Sequence, residues 1–170
     1  MIDEIITCGE FDPVSRGKVF LPLIVNNYFL ADKVNVAYSY LMHHKSRNRD
    51  IDFVVKSLEN GANFKAENLA KLDYFAHKSP EGVNANRLAR QFGVSLPSHY
   101  LENGNSIESL LGGVEDPKSM IDFLLQSPSH RNHLLGVGEP FVNQNNIGIG
   151  YYYGENSRYK HYWCIWITEL

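Results

Sequence analysis

Cysteine is scarce in this 170-residue chain: Cys8 and Cys164 are the whole complement. Two thiols cannot build a disulfide framework, so the fold must rest on packing. A single bridge would tie the two ends of the chain together, and the sequence leaves that pairing and two separate thiols equally open. Long apolar runs are missing as well. The longest, Val19 to Val25, is broken by Pro22 and falls far short of the roughly 20 residues a membrane span needs. Positive charge is in deficit, with 16 Lys and Arg against 19 Asp and Glu and a net charge of −3. No broad positive field therefore exists to hold nucleic acid. With 13 glycines and seven prolines, the chain is also too poor in both for a low-complexity linker.

Several catalytic signatures are absent too. There is no H-E-x-x-H, C-x-x-C, G-x-S-x-G or phosphate-binding G-x-x-x-x-G-K. Gly148-Ile149-Gly150 lacks the third glycine of a dinucleotide fingerprint and opens into a strand, so its glycines point to close approach across a sheet. The N-terminal Met1-Ile2-Asp3-Glu4 is acidic, the reverse of a secretory leader, and Cys8 has no apolar stretch before it to make a lipobox.

What is present describes one domain. Hydrophobic residues make up 44% and charged residues 21%, ordinary globular usage. Residues 1–30 are punctuated by Gly9, Pro13, Gly17 and Pro22 and read as an arm; 31–170 read as a single domain. Val34, Ala37, Tyr38 and Leu41 predict a helix over about 31–44. A second is expected from Asp50 to Asn60-Gly61, a third from Phe64 to Ala76, and a short fourth from Ala85 to Phe92. Asp116-Pro117 and Ser127-Pro128 are consecutive helix starts, each a capping side chain followed by proline. A strand is expected between Val94 and Leu101. From Ile147 the period falls to two, and a turn at Gly154-Glu155-Asn156-Ser157 makes 147–153 and 159–168 a hairpin. Helices first and antiparallel strands last predict an α+β layered fold.

Three polar points stand out from this background. His77 follows the third helix, Glu102-Asn103-Gly104 lies in a turn, and His130 is the third residue of the helix begun by Ser127-Pro128. Two imidazoles and a carboxylate suffice to hold a divalent cation with one position left to water. Other features have plainer readings: the basic stretch His43 to Arg49 neutralises the negative end of the first helix, and the aromatics of 151–166 pack the core.

These residues resemble the CAP superfamily (cysteine-rich secretory proteins, antigen 5, pathogenesis-related proteins) in its cysteine-poor bacterial form. Phe75-Ala76-His77 through Gly82 is similar to its F-x-H-x-x-x-x-G, Glu102-Asn103 to its E-N dipeptide, and Ser127-Pro128-Ser129-His130-Arg131 to its S-P-x-H-R. The likeness covers about 60–170. It implies a three-layer α-β-α sandwich with a central antiparallel sheet, and a cleft where His77, Glu102 and His130 hold a divalent cation, Zn²⁺ or Mg²⁺, weakly. Ser127, His133 and Asn103 would line that cleft. The family's Ile-Ala after E-N stands here as Gly104-Asn105, and its second acid falls at or near Ser127. No second carboxylate is evident to act as base for hydrolysis on a metal; Glu108 and Asp122 are acids that the fold could bring in but that the sequence does not place. The expectation is therefore a secreted or cell-surface interaction module, monomeric, with a protein or lipid ligand and no turnover. The alternatives are a metal-dependent peptidase or hydrolase, and a lipid or sterol carrier.

Overall fold

A computed structural model describes residues 6–7, 23–51 and 53–170. Cys8 and most of the expected arm lie outside them. Chain order is β1 (Ile6–Thr7), α1 (Leu23–Met42), β2 (Phe53–Val54), α2 (Lys56–Lys71), α3 (Ala85–Gln91), β3 (Glu108–Gly112), α4 (Pro117–Gln126), α5 (Pro128–Leu135), a 3₁₀ turn (Phe141–Asn143), β4 (Asn146–Tyr153) and β5 (His161–Thr168). The strands form one sheet in the order β1-β3-β5-β4-β2. Its centre, β3-β5-β4, is antiparallel, as expected; the two-residue strands at either edge add parallel pairings. The fold is α+β in three layers.

Each layer is built by alternation along the strands. Leu111, Ile147, Ile149, Trp163, Ile165 and Ile167 face α1, α4 and α5. Leu110, Tyr162, Cys164 and Trp166 face the other way, onto Leu58, Ala62, Ala66 and Leu69 of α2 and Ala85 and Ala89 of α3. His161 and Cys164, an odd number apart, accordingly belong to opposite faces.

The helix pattern departs from the sequence reading in one instructive place. The expected second and third helices are a single α2, which runs through Asn60-Gly61 without a break and starts only at Lys56. Gly61 is there for contact, not termination. A Cβ at Gly61 would fall inside the Trp166 ring, and Cβ atoms at Gly148 and Gly150 would overlap the α2 backbone at Leu58 and Ala62. Helix and strand backbones thus touch through glycines, the close approach that the Gly-Ile-Gly spacing predicts. The expected end at Ala76 also moves back, to Lys71, and α1 begins at Leu23, inside the expected arm. The strand expected over Val94–Leu101 is absent; that segment is irregular, and the strand is β3 instead.

The two proline starts behave as predicted. Asp116 accepts from the Ser119 N–H at 2.8 Å, and Ser127 from that of His130. Beyond Ile147, helix side chains meet the outer rim of β4: Tyr38 Oη accepts from the Ile149 N–H at 2.8 Å and Asn63 Oδ1 from the Tyr151 N–H at 3.3 Å.

Candidate functional site

The polar centre of the molecule is built on the first residue of β3. Glu108 lies directly opposite Trp166 in the β3–β5 register, so both side chains point to the α2 face. Its carboxylate is fully buried. One oxygen accepts from His77 Nδ1 at 2.8 Å. The other accepts from Trp166 Nε1 at 2.9 Å and lies 3.5 Å from the Cys164 thiol. Asn105 closes the turn into the strand: its Oδ1 takes the Glu108 N–H, and its amide nitrogen donates to the Glu108 carbonyl at 3.0 Å.

Lys65 of α2 holds the other side of this centre. It is 1% exposed, and its ammonium donates to the carbonyls of Ala76 and His77 and to the Tyr74 hydroxyl at 2.8, 3.0 and 3.2 Å. A buried cation thereby pins the loop that carries His77. Burial pushes the Glu108 carboxyl up, but the Lys65 charge and the His77 hydrogen bond outweigh it and leave it below the usual carboxylate range. With Glu108 ionised, the His77 Nδ1 carries a hydrogen and donates it.

The next residue, Ser109, points to the opposite face by the strand's period of two. There its hydroxyl meets His133 Nδ1 at 2.8 Å. His130, one turn earlier on α5, meets Ser127 Oγ at 3.0 Å. Both imidazoles are fully buried. Arg49 completes this layer, donating to the carbonyls of His133 and Phe141 at the end of α5 and just beyond it. Arg49 is thus a buried cation at the end of α5, and not of the first helix as expected for the basic stretch.

The predicted site residues divide accordingly. His77 is central, with 10% of its side chain exposed. Glu102 is not beside it: its side chain is 66% exposed and faces Arg87 at 3.7 Å. Asn103 is exposed and offers its carbonyl to Asn84. His130, His133 and Ser127 are interior residues of α5 and its cap, not the wall of an open cleft. Among the described residues no three His, Cys, Asp or Glu side chains form a group that could hold a metal ion. Glu102 does not join the expected ligand set, for a physical reason. It stands six residues before β3, outside the sheet, and its side chain is turned to solvent and Arg87.

The sequence reading names Glu108 without placing it, and Lys65, Asn105 and Ser109 escape it. A signal for the first existed. Glu108-Ser109-Leu110-Leu111, an acid, a small polar residue and two aliphatics, matches an E-N dipeptide followed by Ile-Ala better than Glu102-Asn103-Gly104-Asn105 does. Lys65 had none, because a lysine among Phe64 and Ala66 reads as a solvated helix position.

The buried His133 imidazole makes stability depend on pH. Burial, aided by the Arg49 charge, holds the His133 imidazolium well below its ordinary range. Below about pH 6.5 the unfolded chain takes up a proton that the folded chain refuses. Stability is then lost as pH falls, by up to about 1.4 kcal/mol per pH unit for the one group, and is unaffected above that value. Urea unfolding at pH 7 and pH 5 should show the loss, and His133→Leu should flatten it; an equal slope in the variant would assign the effect elsewhere.

Comparison with known proteins agrees on the fold. No family profile and no curated protein matches the chain. Solved structures do, and two of them show the extent of the likeness. One is an outer surface protein of Borrelia burgdorferi, 15% identical, TM-score 0.53, covering 91% of this chain and 98% of that one. The other is an extracellular SCP-domain protein of Bacillus anthracis, 15% identical, TM-score 0.61, covering 89% of this chain. This chain spans 45% of that second protein's length. At such identity the likeness establishes the architecture and nothing finer.

Proposed function

We propose that this chain is an exported or cell-surface SCP-like interaction module, which engages a protein or lipid partner and performs no turnover. The observation that carries the reading is the commitment of its chemistry-bearing side chains to the interior. His77 donates to a buried carboxylate, His130 and His133 meet serine hydroxyls inside the core, and the exposed acid of the expected triad faces an arginine. Such groups orient the chain; a hydrolase needs a base, and a metal site its ligands, open to substrate. The surface location is supported by two structural neighbours, one named as an outer surface protein and the other as extracellular.

The test is a turnover screen with peptide and ester libraries, with and without Zn²⁺ or Mg²⁺, beside calorimetric titration of each metal. No turnover is expected, and equal metal heats are expected in wild type and His77→Ala. Metal-dependent hydrolysis abolished by His130→Ala would overturn the reading in favour of the hydrolase. Protease treatment of intact source cells tests location: a surface module is degraded, an internal one survives.

A further inference from the structure

The far side of the molecule from the His77–Glu108 pair holds a different constellation. Where α1 ends against the start of α4, a cavity of about 740 Å³ opens, within the range of small-molecule sites. Its walls carry Val36 and Tyr40 on one helix, His43, His44 and Lys45 past that helix's end, and Lys118 from α4. The neighbouring acids each have a partner, and Asp116, which caps the Ser119 N–H at the start of α4, also feels the Lys118 charge. Asp122 accepts from the Tyr40 hydroxyl at 2.9 Å, and Asp50 pairs with Arg47 at 3.0 Å. Among the described residues Lys45 and Lys118 make no ion pair, and both are exposed; the Lys118 ammonium lies 6.0 Å from the Tyr40 ring centre.

The histidines are fixed by backbone. His43 Nδ1 lies 2.7 Å from the Ser39 carbonyl and so donates to it. His44 Nδ1 accepts from the Ser46 N–H at 3.3 Å, which leaves the hydrogen on Nε2. The cavity therefore combines two ammonium groups and an oriented imidazole N–H with an apolar and aromatic wall. Carbonyls at the end of α1 disfavour an anion there, but the Ser39 carbonyl is capped by His43, and the two lysines exceed what one helix end requires.

We propose that this cavity binds a small organic phosphate or sulfate monoester, its tetrahedral oxyanion held by Lys45, Lys118 and His44 and its organic part resting on Val36 and Tyr40. The site is separate from the buried polar centre and does not depend on the reading given above for it. Charge-assisted donors supply the affinity, and the ring wall selects an ester over the bare anion.

The test uses the full chain and phenyl phosphate, followed by backbone-amide NMR. Saturable shifts are expected at residues 36–46 and 117–119, with inorganic phosphate and phenol each binding at least tenfold more weakly. Lys45→Gln/Lys118→Gln should weaken phenyl phosphate more than tenfold while the rest of the spectrum keeps its dispersion. Vesicles of phosphatidylcholine containing phosphatidic acid, sedimented with both proteins, separate the sources of the oxyanion. Co-sedimentation lost in the double variant, with no shift from the soluble probe, assigns it to a lipid headgroup; soluble-probe shifts alone assign it to a free ester. Lack of response to either, or a response retained in the double variant, overturns the proposal and leaves the lysines as a helix-end charge.

Discussion

Alanine at Gly148 or Gly150 is expected to cost about 3 kcal/mol or more, enough to unfold a marginal domain. The new methyl would overlap the backbone of α2 at Leu58 or Ala62, not the movable tip of a side chain. Relief requires the whole helix to lift, and lifting it would open the buried layer of Leu58, Ala62, Ala66 and Leu69 to water. Gly93→Ala is the control. Gly93 has a positive φ of 78° with nothing near its missing Cβ, so it isolates the conformational part, about 1–2 kcal/mol. Chemical denaturation of the three variants measures the difference. Equal costs at Gly148 and Gly93 would show that helix and strand are not pressed together as described.

Glu108→Ala comes next in size, with an expected loss of about 3–5 kcal/mol. The substitution leaves the Trp166 indole N–H and the His77 imidazole N–H in the interior without their acceptor, and removes the negative charge that offsets the buried Lys65 ammonium. Glu108→Gln keeps the shape and removes the charge, so it isolates the uncompensated lysine. Adding Lys65→Met to Glu108→Gln should recover part of the loss, because an apolar substitute costs less than a lone buried charge. Strictly additive effects in that cycle would mean that carboxylate and ammonium do not support each other.

Legibility followed the physics of each signal. Caps and hairpins are local, so Asp116-Pro117, Ser127-Pro128 and the 147–168 strands were readable from neighbouring residues. The helix break at Asn60-Gly61 was misread because the purpose of Gly61 lies 105 positions away, in the Trp166 ring that lies against it. Of the candidate site, His77, His130 and the Ser127 that meets His130 were found, and Glu108, the acid that holds His77, was not placed. The acid was placed at Glu102, where turn residues announce exposure, while Glu108 sits in a five-residue strand with every position buried. Alternation then decided the outcome. Glu108 and Ser109 are adjacent in sequence yet serve opposite layers, so His77 and His133, which bond to them, meet the strand from opposite faces.

The hydroxyl of Tyr38 and the carboxamide of Asn63 on the outer rim of β4 bear on how this molecule behaves in a crowd. An unfilled row of amide hydrogens is an invitation to any extended peptide, and a route to fibrils. Here two of those hydrogens are already claimed by helices of the same chain. A neighbour trying to zip onto that border would have to evict them first, so self-association by strand addition is discouraged along it, even at the concentrations of a densely packed surface.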